Sequence, residues 1–203
     1  MSARGSSLVP HLLSLARPAL GVAVLAGLAP SRESAVVLPV VLVACATDWL
    51  DGELARRAGT ETKGGRLLDN LCDFLFLLCL FAFLARSEAW SPPVWGRLLH
   101  RWSGANWLPV YALLASFGTY FVRLCLDLAR GEEPRRSPRG HAAGVSNYLL
   151  VLAGAVELLP GVSLGPWLLE PAMLSVALLN LAAVLENLLL LFPRASDGPM
   201  MPP

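Results

Sequence analysis

Charge is scarce in this sequence. Only 15% of its 203 residues are Asp, Glu, Lys or Arg, against about 25% in an average soluble domain. With 55% hydrophobic residues, the deficit argues against a water-facing globule and for a chain immersed in a bilayer. The net charge of +1, and the lack of a basic stripe interleaved with aromatics, exclude a nucleic-acid partner. Zinc chemistry and a disulfide framework are excluded as well. Cys45, Cys72, Cys79 and Cys125 all fall inside apolar blocks, without paired zinc spacing or a secreted-domain context. They read as free thiols packing as small hydrophobes, including Cys72 and Cys79, which share a helical face. A long polar region is missing too, so the chemistry is expected within the membrane part or at its rim.

What is present is a series of apolar blocks. A helix crossing the hydrocarbon core needs about 20 mostly apolar residues. Six segments fit or nearly fit: Leu8–Leu28, Ser34–Leu50, Leu67–Ala85, Asn106–Leu128, Gly144–Leu159 and Pro171–Phe192. They predict an all-α polytopic membrane protein, a bundle of six transmembrane helices over residues 1–193, with a disordered tail at 194–203. The first segment resembles a secretory signal, but five further blocks and the embedded Arg17 mark it as a membrane helix. Pro18 and Pro39 are expected to kink the first two helices.

Loop charges set the orientation. With the N-terminus inside, the cytoplasmic segments hold ten positive residues: Arg4, Arg56, Arg57, Lys63, Arg66, Arg130, Arg135, Arg136, Arg139 and Arg194. The other side holds four: Arg32, Arg86, Arg97 and Arg101. The positive-inside rule then puts both termini in the cytoplasm. Trp90, Trp95 and Trp102, with Trp107 just beyond, place the third connection at the outer interface. Residue usage rich in Gly, Pro, Ala and Arg suits a bacterial protein, hence an inner (cytoplasmic) membrane.

The informative residues gather where the second helix leaves the membrane and the third enters it. Asp48 and Asp51 are three apart, Asp69 and Asp73 four apart, so each pair shares a helical face. In the predicted topology both pairs lie at one depth near the cytoplasmic side, and four carboxylates can converge on one cavity. Their repulsion raises pKa values or pushes helices apart unless cations intervene. Oxygen-only ligands select hard ions, Mg²⁺ or Mn²⁺ and conceivably Ca²⁺, over zinc or copper. Two such ions a few ångströms apart form a clamp for in-line phosphoryl transfer. Gly52 and Ala55 leave room for a nucleotide to approach, and Arg56 on the same face offers a guanidinium to phosphate oxygens. Gly64 and Gly65 let the chain turn before the third helix. The bland alternative has these acids as solvated helix ends pairing with Arg56, Arg57, Lys63 and Arg66, but intramembrane acids are rare and usually functional.

Asp48-x2-Asp51-Gly52-x2-Ala55-Arg56-x8-Gly65-x3-Asp69-x3-Asp73 resembles the CDP-alcohol phosphotransferase signature at every fixed position, eight positions over 26 residues. The six-helix layout extends the likeness across nearly the whole chain. The resemblance implies that Asp48, Asp51, Asp69 and Asp73 bind two divalent cations, with Asp73 doubling as the base. It implies contacts to the CDP moiety from Gly52, Arg56 and Thr62, with Ala55 and Gly65 beside them, and a homodimer. Arg17 stands where many members have an arginine, whereas His11 stands where they often have asparagine. Arg123 is similar to a basic residue in relatives that use phosphorylated acceptors, although Leu124 replaces the acid that often follows it. The turn Arg139-Gly140-His141 resembles the family's basic turn only loosely.

The expected reaction passes a phosphatidyl group from a CDP-linked lipid donor, CDP-diacylglycerol, to an acceptor hydroxyl, with CMP released. Arg123, Arg136 and Arg139 are candidates for an acceptor phosphate, glycerol 3-phosphate being the first choice. Arg123 has a structural alternative in a pair with Asp127. Glu157, Asn180, Glu186 and Asn187 are expected to make interhelical hydrogen bonds more than to line the cavity. Two rival readings are weaker. An intramembrane prenyltransferase holds its acidic motifs far apart on a longer bundle, and a divalent-cation carrier spreads its acids along several helices.

Overall fold

The computed structural model describes residues 8–28, 35–58, 63–87, 105–132 and 137–191. The first apolar block forms α1, Leu8–Ala23, with Pro18 inside it. A single wide turn, Val24–Leu28, follows, and there Gly27 takes a φ of 127°, open to glycine and costly to any residue with a Cβ. Next come α2, Val37–Ala58, and α3, Lys63–Arg86. A short 3₁₀ turn at Ala105–Trp107 leads into α4, Leu108–Ala129. Two further helices complete the order: α5, Pro138–Glu157, and α6, Pro166–Leu191. No strand occurs among the described residues.

Among the described residues six helices stand where six were expected, and three stretches are long and apolar enough to cross a membrane: Leu67–Arg86, Leu108–Ala129 and Trp167–Leu191. Large apolar side chains such as Leu12, Leu42, Leu75, Leu114, Leu149 and Leu189 lie exposed on all six helices. That surface suits hydrocarbon and not water.

Several boundaries differ from expectation. Helix α2 runs on past Leu50 to Ala58, so the whole first half of the motif is helical. Pro39 falls in the first turn of α2, where an N–H has no intrahelical partner to lose, so a kink there is not required. Gly64 and Gly65 lie within the first turn of α3 and not in a turn before it. Helix α5 starts at Pro138 and not Gly144, because Ser137 caps it: Ser137 Oγ accepts from Gly140 N at 2.9 Å. Helix α6 starts at Pro166, which leaves Pro171 inside it. The tryptophan-rich connection (88–104) and the tail (192–203) lie outside the described residues.

Helices α1, α2 and α3 pack together, as do α4, α5 and α6. The two groups meet where α3 touches α4 and α5 and where α2 touches α5. Phe76, Leu80, Phe81 and Leu84 of α3 form the centre of the core, against Val41 and Ala44 of α2 and Val151 and Ala155 of α5. Close approach of α1 to α3 needs Gly21, since a Cβ there would meet Cys79 Cβ at 3.1 Å and Phe76 Cα at 3.3 Å. Asn180 Nδ2 donates to Asn147 Oδ1 at 2.9 Å, the expected kind of interhelical bond. Glu186 Oε2 accepts from Ser137 Oγ at 2.6 Å and from Arg139 N at 3.1 Å, so α6 helps to cap α5. Glu157 holds the following loop, accepting from Leu164 N at 2.5 Å.

Candidate active site

Helix α1 packs against both α2 and α3, and in this three-helix group Asp48 of α2 meets Asp69 and Asp73 of α3. One oxygen from each lies within 4.8 Å of the others. All three are half-buried. Three carboxylates this close repel one another and need positive charge among them.

Helix α1 supplies such charge. The Arg17 side chain has 0% exposure, and its Nη1 donates to Asp48 Oδ1 at 2.6 Å. Nη1 also donates to Asp73 Oδ1, and Nη2 donates to Asp69 Oδ1. One turn earlier on the same face, Ser14 Oγ donates to Asp69 Oδ1 at 3.3 Å. From α5, Tyr148 OH donates to Asp73 Oδ1 at 2.8 Å. The cluster therefore draws on four helices.

These residues suit a hard divalent ion. The donors are all carboxylate oxygens, with no nitrogen or sulfur ligand among them, the set that Mg²⁺ and Mn²⁺ prefer. That the cluster already accommodates a guanidinium shows that it takes positive charge at its centre.

Beside the cluster lies a cavity of about 690 Å³, whose wall includes Asp48 and Asp73. Asn70 of α3 and Ser116, Tyr120 and Arg123 of α4 line it, as do Ser137, Gly140 and His141 at the start of α5. Asn147, Tyr148, Asn180 and Asn187 add further polar groups. Asn70 Nδ2 donates to Tyr120 OH at 3.0 Å, and Phe74 stacks on Phe117 with centroids 3.8 Å apart, which ties α3 to α4 along the wall. Arg123 is 2% exposed, with Nε 4.0 Å from Asp127 Oδ2 and its guanidinium carbon 5.7 Å from the Tyr120 ring centroid. The expected pair with Asp127 is thus present at the outer limit of ion-pair distance, and Arg123 also reaches the cavity. Asn180 and Asn187 line the cavity as well as packing between helices, while Glu157 and Glu186 serve the helix ends.

The remaining site candidates fall into two groups. Gly52 sits half-buried on α2 and Gly65 half-buried at the start of α3. Asp51, Ala55 and Arg56 follow Asp48 on α2, but their side chains lie outside the described residues, as do Thr62 and Arg136. Arg139 is exposed in the first turn of α5. Among the described residues Arg57 pairs with Glu53 at 2.6 Å.

Sequence reasoning singled out the aspartates and noted Arg17, but it missed Ser14, Tyr148 and Asn147. For Ser14 a signal existed, because it lies three residues before Arg17 on the same helical face. Tyr148 gave none, being 75 residues away from Asp73 in the chain.

The family model for CDP-alcohol phosphatidyltransferase matches residues 7–186. No curated protein and no solved structure matches the chain. The family match takes in all six helices but the last turns of α6, and with them every aspartate of the motif. The chain belongs to the CDP-alcohol phosphatidyltransferase family.

Proposed function

We propose that this integral membrane protein of the CDP-alcohol phosphatidyltransferase family transfers a phosphatidyl group from CDP-diacylglycerol to the hydroxyl of glycerol 3-phosphate, releasing CMP. The observation that carries this reading is the convergence of Asp48, Asp69 and Asp73 beside a polar cavity that also reaches the buried Arg123.

In this reading Asp48, Asp51, Asp69 and Asp73 would hold two divalent cations, Mg²⁺ or Mn²⁺. Such ions, when bound, neutralise a diphosphate and the departing CMP. The protein's own groups do the rest. Gly52, Ala55, Arg56, Thr62 and Gly65 bind the CDP moiety along the end of α2 and the start of α3. Asp73 accepts the proton of the acceptor hydroxyl. Tyr148 OH occupies Oδ1 of Asp73, which favours Oδ2 as the proton-accepting oxygen. The freed hydroxyl oxygen attacks the lipid-linked phosphorus, and the bond from that phosphorus to the CMP oxygen breaks.

The cavity wall supports the choice of acceptor. Arg123 offers a guanidinium to a phosphate, with Arg136 and Arg139 as further candidate cations. Among the described residues, buried Oδ1 of Asn187 has no hydrogen-bond partner, and this oxygen suits a hydroxyl of a polyol. Donor nucleotide and polar acceptor both come from the cytosol, which agrees with the positive-inside orientation and a bacterial inner membrane. A homodimer within the bilayer completes the proposal.

The test is release of CMP by the purified protein with CDP-diacylglycerol, Mg²⁺ or Mn²⁺, and acceptors supplied one at a time. CMP formation with glycerol 3-phosphate, lost on chelation with EDTA and in Asp69→Asn/Asp73→Asn, is the expected result. No CMP from any donor and acceptor, given a folded protein, refutes the assignment.

A further inference from the structure

Arg17 fills the centre of the aspartate cluster. Its guanidinium is fully buried and engages Asp48, Asp69 and Asp73 together. The arrangement is built by packing and does not depend on a flexible side chain finding nearby acids. Gly21, four residues on, fixes α1 tightly against Cys79 and Phe76 of α3, and Ser14 on the same face also reaches Asp69. We propose that Arg17 is a tethered counter-cation of the metal site: it holds the three carboxylates together before an ion binds and yields them when one does.

The reason is electrostatic. A guanidinium and a divalent cation drawing on the same carboxylate oxygens repel at contact distance, where little water intervenes to screen them. Both cannot keep the contacts that Arg17 makes now. Arg17 therefore competes with the ion and weakens its apparent affinity, while sparing the ion-free protein three half-buried acids without a counter-charge. The inference rests on the proposed metal site at these aspartates.

Mn²⁺ binding by the purified full chain, followed by the loss of the free-ion EPR signal, tests it, together with thermal unfolding in EDTA and in saturating Mn²⁺. Arg17→Gln removes the charge and is expected to bind Mn²⁺ roughly tenfold tighter or more. In EDTA it should unfold at a lower temperature than the unsubstituted protein, and Mn²⁺ should close that gap. Arg17→Lys keeps the charge on a single ammonium that cannot fork across three carboxylates, so its affinity should fall between the two. If Arg17→Gln does not fold even in Mn²⁺, the order of Arg17→Lys and the unsubstituted protein decides. Unchanged or weaker Mn²⁺ binding in the folded variant overturns the inference and makes Arg17 a plain structural brace. Mn²⁺ binding that survives Asp69→Asn/Asp73→Asn, or that is absent throughout, instead refutes the metal site itself, and the inference with it.

Discussion

Oδ1 of Asp73 receives two donors at once, Arg17 Nη1 from α1 and Tyr148 OH from α5. The Tyr148 bond does not depend on Arg17, and it turns the carboxylate so that its other oxygen is left for chemistry. In Tyr148→Phe that orientation is lost while the charge stays. Turnover should fall by about 10- to 100-fold, the usual cost of a misplaced reacting group, with Mn²⁺ affinity and donor KM little changed. Steady-state kinetics beside Mn²⁺ titration separates these effects, and equal losses in both would make Tyr148 merely structural. Asp73→Asn should cost more, about 10²- to 10⁴-fold in turnover, with CDP-diacylglycerol still retained by the protein in a binding assay. Arg123→Met should raise the KM for glycerol 3-phosphate by about tenfold or more, the value of a charge-assisted contact. A neutral acceptor, if one is used at all, should be indifferent to that change. At this scale the sequence was partly legible. Helical spacing alone gives each aspartate pair its shared face, because three or four residues bring side chains onto one side. The partner on α5 was not legible, since no local rule links Asp73 to a tyrosine 75 residues on.

Helices behave differently, because their middles are decided locally and their ends by neighbours. The apolar blocks located all six. The start of α5 was misplaced by several residues, and the cause is visible in Glu186 of α6, which accepts from Ser137 Oγ and Arg139 N. A cap completed from 49 residues away leaves no periodic trace in the sequence. Close contact of α1 with α3 gives an element-level prediction. Gly21→Val forces its side chain against Phe76 backbone and Cys79, and overpacking of this kind costs about 1–3 kcal/mol. Gly118→Ala on α4 meets nothing within 4 Å, and should be neutral or slightly stabilising. Thermal unfolding in one detergent, run on both variants, checks the contrast. Equal melting temperatures would show that α1 and α3 have slack between them.

For the whole molecule, length and hydropathy identify three spans among the described residues, α3, α4 and α6, while α1, α2 and α5 carry shorter or more polar stretches. Six blocks can still be counted in the sequence, because a block stands out by its apolar excess over its flanks even where residues such as Arg17, Asp48 and Asn147 lie within it. Orientation can be tested directly. With the native cysteines replaced, Glu132→Cys lies in the loop after α4 and Val162→Cys in the loop after α5, both exposed. An impermeant maleimide applied to intact cells stripped of their outer layers should label Val162→Cys alone, and should reach Glu132→Cys only after the membrane is opened. The reverse pattern would turn the protein over and put the aspartates on the far side.

The placement of Arg17 bears on more than the finished enzyme. Asp48, Asp69, Asp73 and Arg17 all belong to the first 73 residues, whereas Tyr148 and Arg123 come with the second half. A ribosome still adding α4 to α6 has therefore already delivered the acids to the insertion machinery, where a bare aspartate carries a cost that rises toward about 2.5–3.5 kcal/mol at the bilayer centre. Contact with the arginine of the preceding helix lowers that cost from within the nascent chain. The first three helices can thus enter the bilayer with part of their acidic charge already compensated, before the groups that complete the cavity have been synthesised.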